Sequence, residues 1–167
     1  APTADRASST CFCQHDGDWL PILLGLIAQG QITTPGGLGC ENTTYPAQCG
    51  VDFSVIWSRL SMPGRVHCLT ELAQQLHASG EHEISQICAD MAWRKCCSIV
   101  SDRRRRPRLQ EVLGRMAICQ ASLGLLDSAL DTVRWLDEGQ VSALAGIARA
   151  CTAAGDIAGL KRVLRCG

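Results

Sequence analysis

Cys151-Thr152-Ala153-Ala154-Gly155-Asp156 repeats a design seen in Cys119-Gln120-Ala121-Ser122-Leu123-Gly124 and in Leu76-His77-Ala78-Ser79-Gly80-Glu81. In each stretch an amphipathic segment runs out into small residues and a glycine. A glycine at that place takes the left-handed conformation that closes a helix. A second amphipathic segment follows within a few residues each time. Leu69, Leu72, Ala73 and Leu76 fall at i, i+3, i+4 and i+7, one stripe of a helix. Ile84, Ile87, Cys88 and Met91 form the next stripe, and Leu109, Val112, Leu113 and Met116 a third. Leu126, Ala129, Leu130 and Val133 make a fourth, closed by Glu138-Gly139. Val141, Leu144, Ala145 and Ala148 make a fifth, and Asp156 caps a last helix carrying Ile157, Leu160, Val163 and Leu164. The fold expected is all-α: a stack of about three antiparallel helical hairpins over residues 64–167.

Residues 1–63 read differently, as an irregular, cysteine-rich segment packed on the rest within one structural domain. Thr34-Pro35-Gly36-Gly37-Leu38-Gly39 and Asn42-Thr43-Thr44-Tyr45-Pro46 are loop sequences. One helix is expected around Asp18 to Gln29, with Asp18 as its cap and Pro21 in its first turn, and a short one around Val51 to Leu60. Met62-Pro63-Gly64 is read as a break, with regular helix from Arg65.

Gly124 is followed five residues later by Ala129 and preceded by Ala117, and Ala148, Gly155 and Leu160 partly repeat this spacing. Over about residues 65–166 the chain resembles the tetratricopeptide and related α-hairpin repeat families, whose paired helices touch at such small residues. Glycines 124 and 155 lie about 31 residues apart, near the length of such repeats. The resemblance implies peptide or protein binding on a concave face.

Composition narrows the function classes. The chain has 167 residues, 46% hydrophobic and only 4% aromatic, which suits closely packed helices more than a β-sandwich. Net charge is +0, so no long-range field draws the molecule to nucleic acid or anionic lipid. The longest apolar run, Trp19 to Ala28, falls short of the about 20 residues that a bilayer needs. The chain opens at Ala1, which reads as a processed or trimmed N-terminus, and no signal peptide is visible.

The 11 cysteines point either to disulfides or to metal or redox chemistry. Cys40 and Cys49 bracket a loop whose closure is worth about 2–3 kcal/mol in the chain-entropy picture. They enclose Asn42-Thr43-Thr44, an N-glycosylation acceptor at Asn42. A disulfide there with a glycan favours a secreted or lumenal protein, with an organellar one as the alternative. Cys11, Cys13 and His15 offer soft ligands within reach of one ion, with Cys96 and Cys97 as further candidates. Cys88, Cys119 and Cys151 lie on apolar stripes and read as buried thiols or helix-to-helix staples.

Arg103, Arg104, Arg105, Arg106 and Arg108 form the one strong charge run, read as a solvated loop or as a patch for an acidic protein surface. Nucleic acid is disfavoured, because few aromatics accompany the arginines for base stacking. No catalytic constellation is recognisable and no cofactor motif is present. The function expected is a non-catalytic protein–protein interaction scaffold, an effector-like ligand or an accessory subunit of a larger assembly. The alternatives are a thiol-based metal-binding or redox protein and a nucleic-acid-binding helical repeat.

Overall fold

A computed structural model describes residues 20–34, 57–101 and 109–167. These residues include the helices α1 (Leu20–Ala28), α2 (Met62–Ala78), α3 (His82–Val100), α4 (Gln110–Ser122), α5 (Leu126–Val133), α6 (Gln140–Ala153) and α7 (Ile157–Leu164). Among them there is no strand, so the all-α expectation holds. No helix of the described residues is long and apolar enough to cross a membrane.

The helices end alike because their turns are built alike. After α2 the Glu81 amide donates to the Leu76 carbonyl at 2.8 Å and the Gly80 amide to the His77 carbonyl at 3.0 Å. Leu125 to Gln120 (2.8 Å) with Gly124 to Ala121 (3.0 Å), and Asp156 to Cys151 (2.8 Å) with Gly155 to Thr152 (3.1 Å), repeat the pair. This is the Schellman arrangement, which satisfies two carbonyls that a helix end leaves open and requires φ above zero at the glycine. Gly80, Gly124 and Gly155 have φ of 87°, 79° and 71°.

Counting from each turn glycine brings the three hairpins into one register. Eleven residues before it stand Leu69, Leu113 and Leu144, and eight before it Leu72, Met116 and Ile147. Seven before it is always alanine: Ala73, Ala117 and Ala148. In the first hairpin this alanine lies where the two helices meet, for the buried Ser85 hydroxyl donates to the Ala73 carbonyl at 2.7 Å. Helix α2 packs on α3, α4 on α5 and α6 on α7. Helix α4 also lies against α2 and α3, α6 lies against α4 and α5, and α1 covers part of α2. The approach of α6 to α4 depends on Gly146, where a Cβ would stand 2.4 Å from Cδ1 of Ile118.

Several expectations change. In α3 Cys88 is buried, but Ile87 of the same expected stripe is 45% exposed. Met62-Pro63-Gly64 is the first turn of α2 and not a break: Ser61 caps it, accepting from the Gly64 amide at 3.2 Å, and Pro63 sits where its missing N–H costs nothing. In α6 the buried stripe is Ala143, Gly146, Ile147 and Cys151, while Val141 and Ala145 are exposed. In α7 Val163 is buried, whereas Ile157 and Leu164 face solvent. The disulfide expectation is overturned for the described residues: Cys68, Cys88, Cys96, Cys97, Cys119, Cys151 and Cys166 all keep their thiols, and no two form a bridge. The pair Cys40 and Cys49, with Asn42, lies outside the described residues.

One buried polar pair holds the second hairpin. Thr132 on α5 donates its hydroxyl to the Gln120 side-chain oxygen of α4 at 2.7 Å, and both residues are buried. Thr132→Val keeps the shape but strands the Gln120 amide, which should cost about 1–3 kcal/mol. Urea unfolding checks this, and the double variant Thr132→Val/Gln120→Leu should recover part of the loss.

Candidate functional site

The most connected polar group lies across α2 and α4. His67 and Glu71 stand one turn apart on α2, and Glu111 and Arg115 stand one turn apart on α4. Counted from the turn glycines, His67 matches Glu111 and Glu71 matches Arg115, so packing of the two helices sets the pairs side by side. Arg115 donates through Nη2 to Glu111 Oε1 at 3.0 Å, and its Nη1 lies 3.1 Å from Nε2 of His67. That same Nε2 lies 3.7 Å from Oε1 of Glu71. Beneath the group, Cys119 Sγ points at the Thr70 carbonyl at 3.6 Å.

Nε2 of His67 can serve only one neighbour at a time. Neutral, with its proton on Nδ1, it accepts from Arg115, and the 3.1 Å separation fits that hydrogen bond. Protonated, it donates toward Glu71 and repels Arg115. The Glu71 carboxyl is held below its ordinary value, first by hydrogen bonding from His67, then by the positive charges of His67 and Arg115, with partial burial opposing them.

Two buried cysteines, Cys96 and Cys119, are chemically quiet. Burial, aided by the neighbouring Cys97, pushes the Cys96 thiol up to about 12. Burial also raises Cys119 to about 12, with the charge of Glu71 adding to it. Thiols so placed stay protonated near neutral pH and are poor nucleophiles and ligands. Cys96 faces the core while Cys97 is exposed, so the two do not converge on one ion. Among the described residues no group of three or more His, Cys, Asp or Glu side chains gathers to hold a metal.

Several sequence-derived candidates fall outside the described residues: Cys11, Cys13 and His15, and the run Arg103, Arg104, Arg105, Arg106 and Arg108. The His67–Arg115 contact, by contrast, was not anticipated. Its only signal was the four-residue spacing of His67 to Glu71 and of Glu111 to Arg115; the pairing across 48 positions needs the fold.

The chain matches no family model, no curated protein and no solved structure. Its reading rests on its own residues.

Because the Glu71 carboxyl is depressed in the folded state, its contribution is present above the ordinary value of 4.5 and is lost as pH falls through the lower folded value. Glu71→Gln should lower unfolding stability at pH 7 by about 1 kcal/mol or less, the discount reflecting solvent exposure of the pair. The gap between variant and parent should close as the pH is taken below 4.5, which denaturant titrations across that range would read.

Proposed function

We propose that the chain is a non-catalytic scaffold for protein–protein interaction, built as a tetratricopeptide-like stack of hairpins. Its docking surface is the open face of the third hairpin, and its partner presents an amphipathic helix of the kind the chain itself places between hairpins. The observation that carries this reading is a change of burial at fixed register. Nine residues after the turn glycine, Ala89 is 3% exposed and Val133 6%, whereas Leu164 is 70% exposed. Leu144, Ala148 and Leu160 likewise stand only partly buried where Leu69, Ala73, Ser85, Leu113, Ala117 and Ala129 are closed off.

The difference has a simple cause. Helix α4 lies against both helices of the first hairpin, and α6 against both helices of the second. No described helix lies in that way against α6 and α7. Two of the side chains left open are larger than their counterparts: leucine stands at position 164 where alanine and valine suffice elsewhere, and at position 160 where serine and alanine do. Val141, 81% exposed, and Ile157, 67% exposed, extend the apolar area. An apolar face of this kind favours a protein partner over a small molecule or nucleic acid. Continuity with the internal helix-on-hairpin interfaces supports, as the occupant, a helix carrying small and branched apolar residues at α-helical spacing.

Thiols kept at Cys96, Cys119 and Cys151, deep in the helices, favour the organellar alternative over secretion, since oxidising compartments select for paired cysteines.

A labelled peptide of residues 140–153, the helix that fulfils this role inside the chain, serves as the probe. Anisotropy should report its binding to the intact protein, weakened at least tenfold by Leu164→Asp, a change at an exposed position that leaves the core intact. No binding to the parent protein, or equal binding to the variant, would sink the reading. A parent dimer that Leu164→Asp turns into a monomer would instead assign the face to a second copy.

A further inference from the structure

The first hairpin turn carries two histidines that the polar group between α2 and α4 does not use. His77 sits in the last turn of α2 and His82 opens α3. The turn between them is pinned by the Glu81–Leu76 and Gly80–His77 backbone hydrogen bonds, so the backbone carries the two side chains from a fixed separation. Their Nδ1 atoms face each other at 3.0 Å, and their ring centroids are 4.7 Å apart with the planes inclined at 61°.

These two distances restrict what the pair can be. A straight N–H···N hydrogen bond between imidazoles would add a ring radius at each end and put the centroids roughly 5.3 Å apart. The observed 4.7 Å is shorter, so the rings lean off that line, and leaning to the same side turns both Nδ1 lone pairs toward a common point. For symmetric leaning that point lies about 2.0 Å from each nitrogen, the metal–imidazole bond length. The angle subtended there is about 95°, close to adjacent positions of a tetragonal or octahedral ion, and narrower than tetrahedral zinc prefers.

We propose that His77 and His82 form a two-imidazole clip for one tetragonal or octahedral divalent transition-metal ion, nickel(II) or copper(II). Imidazole suits both ions, and both accept cis nitrogen pairs with water in the other positions. The site opens to solvent, so water or a ligand from a partner completes the coordination; no third side chain of the described residues joins it. The ion would tie the end of α2 to the start of α3 and stabilise the hairpin by mass action.

Nickel(II) is the probe of choice because it leaves thiols unoxidised. Calorimetric titration of the intact protein should show one equivalent of nickel bound through this pair, with a raised melting temperature. His77→Ala and His82→Ala should each remove that equivalent, weakening binding at least tenfold, and abolish the thermal shift. Both residues lie at the surface, so metal-free melts of the variants should match the parent and separate loss of ligands from loss of fold. Nickel uptake and thermal shift unchanged in both variants would overturn the clip, as that signal would then come from other side chains. Loss in only one variant would overturn it as well, since a chelate needs both nitrogens.

Discussion

The left-handed glycine turn is the constraint on which the rest of this structure depends. A helix end exposes carbonyls that must find donors, and the Schellman pair satisfies two of them while reversing the chain within three residues. With the turn fixed, the second helix of each hairpin enters at a set angle and in a set phase. Small residues then fall where the helices meet: Ala73 faces Ser85, and the same register places Ala117 near Ala129. Bulk follows one turn away, at Leu72, Met116 and Ile147. The polar links depend on this phase as well, since Thr132 reaches Gln120 only when α5 returns along α4 at that depth. Packing therefore amplifies a choice made at single glycines.

A design of this type leaves one side of every hairpin in need of cover. Among the described residues the need is met by α4 and by α6, and the third hairpin carries the same apolar positions without a described helix over them. The exposed leucines there are not scattered surface residues of the ordinary sort, because register ties them to positions that are core elsewhere. The polar side of the first two hairpins has another character. Around His67 charges are shared among few partners, so it tolerates solvent where the apolar face does not.

Much of this was legible in the residues alone. The stripe Leu69, Leu72, Ala73 and Leu76 is buried as its spacing requires, as are Leu109, Val112, Leu113 and Met116, and the closing glycines lie where the motif puts them. The stripes in α6 and α7 were harder, for a physical reason. Periodicity identifies which side of a helix is apolar, but not whether the chain supplies anything to lie against it. Val141 and Ile157 look like core by spacing, yet both are exposed. Pro63 misled in a different way: proline ends a helix in its interior and starts one in its first turn, and the deciding cue was Ser61 just before it. The two-nitrogen approach of His77 and His82 had only a five-residue interval across a turn as its signal, which most solvated surface pairs share.

The cysteines show how composition can point the wrong way. Eleven in a chain of this length suggest bridges, yet register explains several of them as packing choices. Cys68 stands twelve before its turn glycine, where the other hairpins have Val112 and Ala143. Cys88 stands eight after, where they have Thr132 and Val163, and Cys151 matches Leu76 and Gln120. All of these positions are buried and most need a small side chain, which a thiol fills nearly as valine or threonine does. Helix geometry then works against oxidation: side chains that each fill their own hole between helices point along separate directions, and a disulfide needs two that converge. A cysteine count in a helical protein is evidence of disulfides only after the residues that merely fill holes have been set aside.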